Sequence, residues 1–261
     1  MLSDRERAAA CTALEEAERT CRPIPPLRDA YPGIELDDAY AIQQLGIARR
    51  VERGARVVGH KVGLSSRAMQ LMMGVHEPDF GHLTDAMSVL EDDDVAVSEL
   101  CQPRVEIESA FVLGRPLAGP GVSVADVVRA VEFVLPSIEI IDSRITGWDI
   151  QLVDTVADNA SSARLVLGGT PRLLTELDLR TVPAALERNG RIVETGTTGA
   201  VLGNPVKAVA WLANTLGPYG VTLNAGDIIL SGSLVPLEPA RPGDIFSMEL
   251  SGVGATSITF A

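Results

Sequence analysis

Two glutamates separated by one residue, Glu106 and Glu108 in Arg104-Val105-Glu106-Ile107-Glu108, and a third, Glu139, in Ser137-Ile138-Glu139-Ile140-Ile141, supply the side chains from which a hard-cation site is made. Both segments have the composition of β-strands, in which residues i and i+2 share a face, so Glu106 and Glu108 project side by side. The same face continues as Ala110 and Val112, which turns it inward rather than toward water. Three carboxylates in a partly buried place repel one another strongly unless a cation lies between them. Oxygen-only ligation selects Mg²⁺ or Mn²⁺ over zinc, and three protein oxygens leave coordination positions open for water or a chelating substrate. An E-x-E pair taken alone is also the ordinary solvated face of an antiparallel strand. The argument for burial comes from the apolar run around Glu139, Val134 to Ile141, because a buried unpaired carboxylate is costly.

Three further segments carry residues able to act on a ligand. In Gly59-His60-Lys61-Val62-Gly63 the lysine has glycines two residues to either side, which leaves a recess where its ammonium could meet a ligand carboxylate; a surface lysine beside a bulge reads the same way. Glu77-Pro78-Asp79-Phe80-Gly81 reads as a turn, with Asp79 either capping backbone amides or serving as an acid or base. Asp154 to Ser162 reads as a small polar loop, an ordinary connection or a donor of hydroxyls and amides to a carboxylate. The histidines at 60, 76 and 82 form no recognisable ligand set, and no P-loop, dinucleotide fingerprint, G-x-S-x-G elbow or catalytic cysteine is present.

The elements that must position these residues are legible in outline. Ser3-x-x-Glu6 has the form of a capping box and opens a helix to about Thr20, followed by a break at Arg22-Pro23-Ile24-Pro25-Pro26. A second helix spans Leu36 to about Glu52. From Val57 the texture changes to short strand-like runs: Val57 to Leu64, Arg104 to Leu113, Val134 to Ile141, Leu165 to Leu167, Ala184 to Arg188, Ile228 to Ser231 and Ser257 to Phe260. Helical patterns interrupt them at Val124 to Phe133 and Pro205 to Leu216. The expectation is an α+β chain with an N-terminal helical segment, residues 1–55, and a β-rich domain, residues 56–261, without the regular alternation of a doubly wound sheet.

At 261 residues the chain can bury a substantial core. Its formal charge of −13 and few aromatics disfavour nucleic acid and anionic membranes as partners. Three cysteines without ligand spacing read as free thiols. With no apolar leader and no bilayer-length run, a cytoplasmic protein is expected.

Taken together, Gly59 to Ser66, Glu77 to Gly81, Arg104 to Glu108, Ile138 to Arg144, Val156 to Ser162 and Trp211-Leu212-Ala213-Asn214 resemble the 2-hydroxypenta-2,4-dienoate (2-oxopent-4-enoate) hydratases of aromatic meta-cleavage pathways, within the fumarylacetoacetate hydrolase-like superfamily. The same family holds the 4-oxalocrotonate decarboxylases, which share most of these motifs. The resemblance implies a strand-rich mixed β-roll or barrel core and a divalent metal, Mg²⁺ or Mn²⁺, held by Glu106, Glu108 and Glu139. It implies that Lys61 and Ser161 hold the 2-oxo acid end of a small anionic dienoate, with Lys61 and Asp79 catalytic. It further implies a homo-oligomer, able to associate with a pathway decarboxylase or aldolase. In the decarboxylases an apolar residue and an aromatic are expected after Pro78, so Asp79 favours hydration. A decarboxylase would need an extra cation for its second carboxylate, for which Arg67, Arg104, Arg144 and Arg164 are candidates. A catalytically silent subunit of a pathway complex is the reading from another class, against which the retained glutamates, Lys61 and Asp79 argue.

Overall fold

Ser3 caps the first helix as its spacing to Glu6 requires: the Ser3 amide donates to Glu6 Oε2 at 2.7 Å while the Glu6 amide donates to Ser3 Oγ at 3.4 Å. The structure, a computed structural model, describes residues 1–91 and 93–261, with the backbone alone at residue 72. Three helices lead, α1 (Asp4–Thr20), α2 (Leu27–Ala30) and α3 (Leu36–Glu52). They are followed by β1 (Val57–Gly63), α4 (Arg67–Met73), β2 (Asp79–Thr84), β3 (Ser88–Val89), β4 (Asp94–Val95), β5 (Pro103–Leu113), α5 (Val124–Ala130), β6 (Val131–Asp142), α6 (Leu152–Ala157) and β7 (Ser162–Leu167). The chain ends with β8 (Pro183–Arg188), β9 (Arg191–Thr197), α7 (Val206–Leu216), β10 (Ile228–Leu230), β11 (Glu238–Pro239), β12 (Ile245–Leu250) and β13 (Gly254–Phe260).

The strands form two curled sheets. The larger runs β2-β1-β10-β5-β6-β7-β3, with β11 beside β5, and the smaller runs β4-β13-β12-β8-β9. One face of the larger sheet joins the smaller sheet and α7 in the main core, where Phe246 and Phe260 meet edge to face with centroids 5.9 Å apart. Full burial of each such side chain stabilises by roughly 1.5–3 kcal/mol. Register places the other face. Lys61 lies opposite Gly81, Gly63 opposite Asp79, Leu230 opposite Ala110, and Glu106 opposite Glu139, and directly paired residues share a side of the sheet. That face carries Lys61, Asp79 and the glutamates, and next to them an apolar cluster of Leu83, Ala110, Leu135, Leu165 and Leu230. The inward turn expected at Ala110 is therefore present: Ala110 is fully buried.

Helices α1 and α3 pack on the 145–157 segment, which leads into the turn lying over this face, in a cluster joining Leu14, Ile42, Ile145, Val156 and Ala157. Gln43 of α3 donates from Nε2 to the Phe80 carbonyl of β2 and to the Val156 carbonyl of α6, both at 2.9 Å.

Three expectations need correction. The helix expected over 124–133 stops at Ala130, because Val131 and Phe133 already pair with Leu113 and Val112 of β5; β-branched and aromatic residues fit that half-buried pleat. The segment read as a turn around Asp79 enters β2 at that residue, pairing antiparallel with β1. The stretch 154–162, expected as a small polar loop, is instead the last four residues of α6 followed by a tight left-handed turn that leads into β7, and all of it is buried. Strands β3, β4, β9, β11 and β12 lie where the sequence pattern predicts no strand.

Candidate metal centre and substrate pocket

Because β5 and β6 pair antiparallel with Glu106 opposite Glu139, the i, i+2 spacing of Glu106 and Glu108 brings all three carboxylates together. One oxygen from each lies within 4.8 Å of one from each of the others. Glu108 and Glu139 have no solvent exposure, while Glu106 meets the adjoining cavity. The Gly232 amide donates to Glu108 Oε2 at 2.6 Å. Glycine is required there: its φ is +111°, and a Cβ would fall 1.8 Å from Ser65 Oγ.

The cluster is not satisfied from within the chain. Glu108 Oε1, both Glu139 carboxylate oxygens and Asp79 Oδ1 are buried without a hydrogen-bond partner. Burial pushes Glu106 up to about 7 and Glu108 well above the usual carboxylate range, with the neighbouring Glu139 adding to both. Burial alone would lower the Lys61 ammonium, but Glu139, Glu106, Asp79 and Glu108 together hold it raised, so it stays charged. Lys61 Nζ stands 3.6 Å from Glu139 Oε2. A single ammonium facing a concentration of orphaned acceptors fits a site built for a further, divalent cation.

Asp79 is raised chiefly by burial, with Lys61 opposing. It sits beside Lys61 because Gly63, opposite it in the ladder, has no side chain: a Cβ there would lie 2.0 Å from Asp79 Oδ1 and 3.5 Å from Lys61 Nζ. The recess inferred from the two glycines thus has a different use. Gly63 makes room for Asp79, and Gly59 for the β10 backbone, where a Cβ would meet the Ile228 carbonyl oxygen at 1.9 Å.

Lys61, Asp79, Glu106 and Ser161 line one cavity of about 330 Å³. Ser161 ends the left-handed turn, in which Asn159, Ala160 and Ser161 have φ of +54°, +50° and +57°. Such a run is strained in residues bearing a Cβ and must be held by its surroundings. Asn159 pairs with the β2 backbone like a strand residue, accepting from the His82 amide at 2.8 Å and donating to its carbonyl at 2.9 Å. On the other side, Asp158 is clamped by Arg144, whose Nε donates to Oδ1 at 2.5 Å and whose amide donates to Oδ2 at 2.9 Å. Ser161 Oγ lies 3.3 Å from Thr155 Oγ1, which also lines the cavity.

Of the four arginines considered as an extra cation, Arg144 is committed to Asp158 and Arg67 is exposed at the start of α4. Arg164 pairs with Ile140, on the opposite face from Glu139. Arg104 lies over the ring of Trp148, 4.5 Å from its centroid. The sequence reading gave no role to Trp148, Thr155, Asn159 or the Gly232 amide. The polar run 154–162 signalled two of them; only tertiary pairing reveals the others.

Residues 57–261 match the family model described as the fumarylacetoacetate hydrolase C-terminal domain. A 2-keto-4-pentenoate hydratase of Paraburkholderia xenovorans is 46% identical over 259 residues, covering 99% of this chain and 96% of its own. A 2-hydroxyhexa-2,4-dienoate hydratase of Comamonas testosteroni is 47% identical over 251 residues, covering 95% and 94%. The solved 4-oxalocrotonate decarboxylase of Pseudomonas putida G7, complexed with magnesium and adipate, is 38% identical, covers 100% of this chain and 99% of its own, and superposes with a TM-score of 0.96.

Proposed function

The chain belongs to the fumarylacetoacetate hydrolase family, and from that premise we propose that it is a metal-dependent hydro-lyase adding water to 2-hydroxypenta-2,4-dienoate or a close analogue to give a 4-hydroxy-2-oxo acid. The observation that carries this reading is the convergence of Glu106, Glu108 and Glu139, with orphaned oxygens, beside Lys61 and Asp79 on one cavity. The hydratase relatives, alike over nearly their whole length, support the choice of reaction.

Glu106, Glu108 and Glu139 would hold Mg²⁺ or Mn²⁺, which when bound supplies Lewis-acid polarisation of a 2-oxo acid head. Lys61 places a permanent positive charge where negative charge gathers on the 2-oxygen during ketonisation of the dienol. Ser161, backed by Thr155, offers a hydroxyl to the substrate carboxylate. Asp79 handles protons at the far end of the conjugated system: C5 gains one as the 2-hydroxyl loses its own, giving the 2-oxo-3-enoate. Water then bonds through oxygen to C4, giving up one of its protons, while C3 takes up a proton. A positioned acid or base contributes typically ~10²–10⁴-fold. Burial of Asp79 beside Lys61 keeps it out of bulk water and at a fixed distance from the head group.

A homo-oligomer belongs to the same proposal; Ile192 and Val193, exposed on strand β9 at the edge of the smaller sheet, support it, and light scattering tests it. Decarboxylation is the competing reading, supported by the likeness to the magnesium- and adipate-bound decarboxylase. The two are separated by NMR product analysis with Mg²⁺, offering 2-hydroxypenta-2,4-dienoate and 2-oxo-3-hexenedioate in parallel. Hydration of the first is expected; CO₂ release from the second without hydration of the first would move the assignment to decarboxylase.

A further inference from the structure

The cavity is chemically divided. Its charged lining is confined to Lys61, Asp79 and Glu106, and among the lining residues Lys61 is the one cation. The remaining wall is dominated by Ile141, Trp148, Ile150, Leu234, Val235 and Leu237. At about 330 Å³ it exceeds what a five-carbon acid fills, lying within the range that receives considerably larger ligands. An anion whose head is held at Lys61 must lay the rest of its length against this apolar surface.

The wall is also fixed in place. Trp148 has a left-handed φ of +58°, and its indole N–H donates to the Gln102 carbonyl at 3.0 Å. The Arg104 guanidinium lies over its ring and is absent from the cavity lining. Arg104, on the same strand face as Glu106, is thus held over the indole, and no residue lining this wall offers a cation to a carboxylate arriving there.

We propose that this wall is a subsite for an uncharged C5 substituent, so that the chain prefers 2-hydroxy-2,4-dienoates with an alkyl tail over those ending in a second carboxylate. The inference rests on the hydratase reading for its head group, and names the substrate class within it.

Non-reacting ligands test it independently of turnover. Calorimetry with saturating Mg²⁺ would compare 2-oxopentanoate, 2-oxohexanoate, 2-oxooctanoate and 2-oxoheptanedioate. Affinity should rise about fourfold per added methylene until the wall is covered. The dicarboxylate should bind at least tenfold more weakly than 2-oxohexanoate, since its second charge is buried unpaired. Ile150→Arg should reverse that order, and Leu237→Arg, also at a half-buried position, provides the same reversal should the first variant not fold. A flat alkyl series, a dicarboxylate bound as tightly as 2-oxohexanoate, or no binding by any of the four would overturn the subsite. A separate assay of 2-hydroxypenta-2,4-dienoate disappearance keeps the two readings apart: its failure removes the hydratase and leaves the binding series to decide the wall.

Discussion

Glu139 and Glu106 face each other across one rung of the β5–β6 ladder, and Glu108 lies one same-face step along. Removing one charge without changing volume relieves repulsion while deleting an acceptor, so Glu108→Gln and Glu139→Gln should fold and yet bind Mg²⁺ or Mn²⁺ at least tenfold more weakly. Titration calorimetry checks this, and unchanged affinity in both would refute the site. Asp79 is not among the three, so Asp79→Asn should keep metal affinity near wild type and lose roughly 10²-fold or more in hydration. Full activity in that variant would remove Asp79 from the mechanism. Gly63→Val brings a side chain onto the Asp79 carboxylate and should be as damaging as Asp79→Asn, although it deletes no functional group. At this scale the sequence was informative because i, i+2 geometry is local: the shared face of Glu106 and Glu108 needs no knowledge of the fold. The true occupants of the space at Gly59 and Gly63 could not be read that way, since the β10 backbone and Asp79 arrive through strand pairing.

Among the elements, those with terminal signals of their own were the most legible. The Ser3–Glu6 capping box and the Leu36–Glu52 helix stand where their residues place them. Strand β2 was hidden because Pro78 and Gly81 read as turn residues, whereas Gly81 is small for another reason: a Cβ there would lie 2.5 Å from the Asn159 carbonyl oxygen, in the left-handed turn. That turn, with its three positive φ values, has no short-range signature and depends on Asn159 bridging to His82 and on Arg144 holding Asp158. Arg144→Met should accordingly cost about 3–5 kcal/mol, as for a buried ion pair stripped of one partner, measured by urea unfolding. Loss below about 1 kcal/mol would show that the clamp does not hold the turn. Asn159→Ala should weaken substrate binding through Ser161 while leaving Mg²⁺ affinity unchanged.

Across the whole molecule, the net charge of −13 requires anion attraction to be local, and the proposed function assigns it to Lys61 and the metal that the glutamates would hold. Binding of Mg²⁺ to the native state alone should raise the thermal midpoint by roughly 5–10 °C at a hundredfold excess over Kd, with EDTA reversing it. Burial also lowers His60 to about 3, with His82 adding to the effect, and lowers His82 itself to about 4, against an ordinary 6.5. Both remain neutral in the fold while the unfolded chain takes up protons. Their stabilising effect is therefore complete above about pH 6.5 and is lost as pH falls toward 4, at ~1.4 kcal/mol per pH unit for each histidine. Glu106, Glu108 and Asp79, raised by burial, titrate with the opposite sign, so the difference between wild type and a His60→Asn, His82→Asn double variant isolates the effect. An identical pH slope in the two proteins would contradict it.

The central claim is that the three glutamates, Lys61 and Asp79 form one hydrating centre. It is met most directly by following the ultraviolet dienol band of 2-hydroxypenta-2,4-dienoate with the purified protein, first with Mg²⁺, then with EDTA, then with Mg²⁺ restored. The band should bleach, stop and bleach again, and the product should be the 4-hydroxy-2-oxo acid. Bleaching that continues undiminished in EDTA, or no bleaching with Mg²⁺ present, would contradict the account.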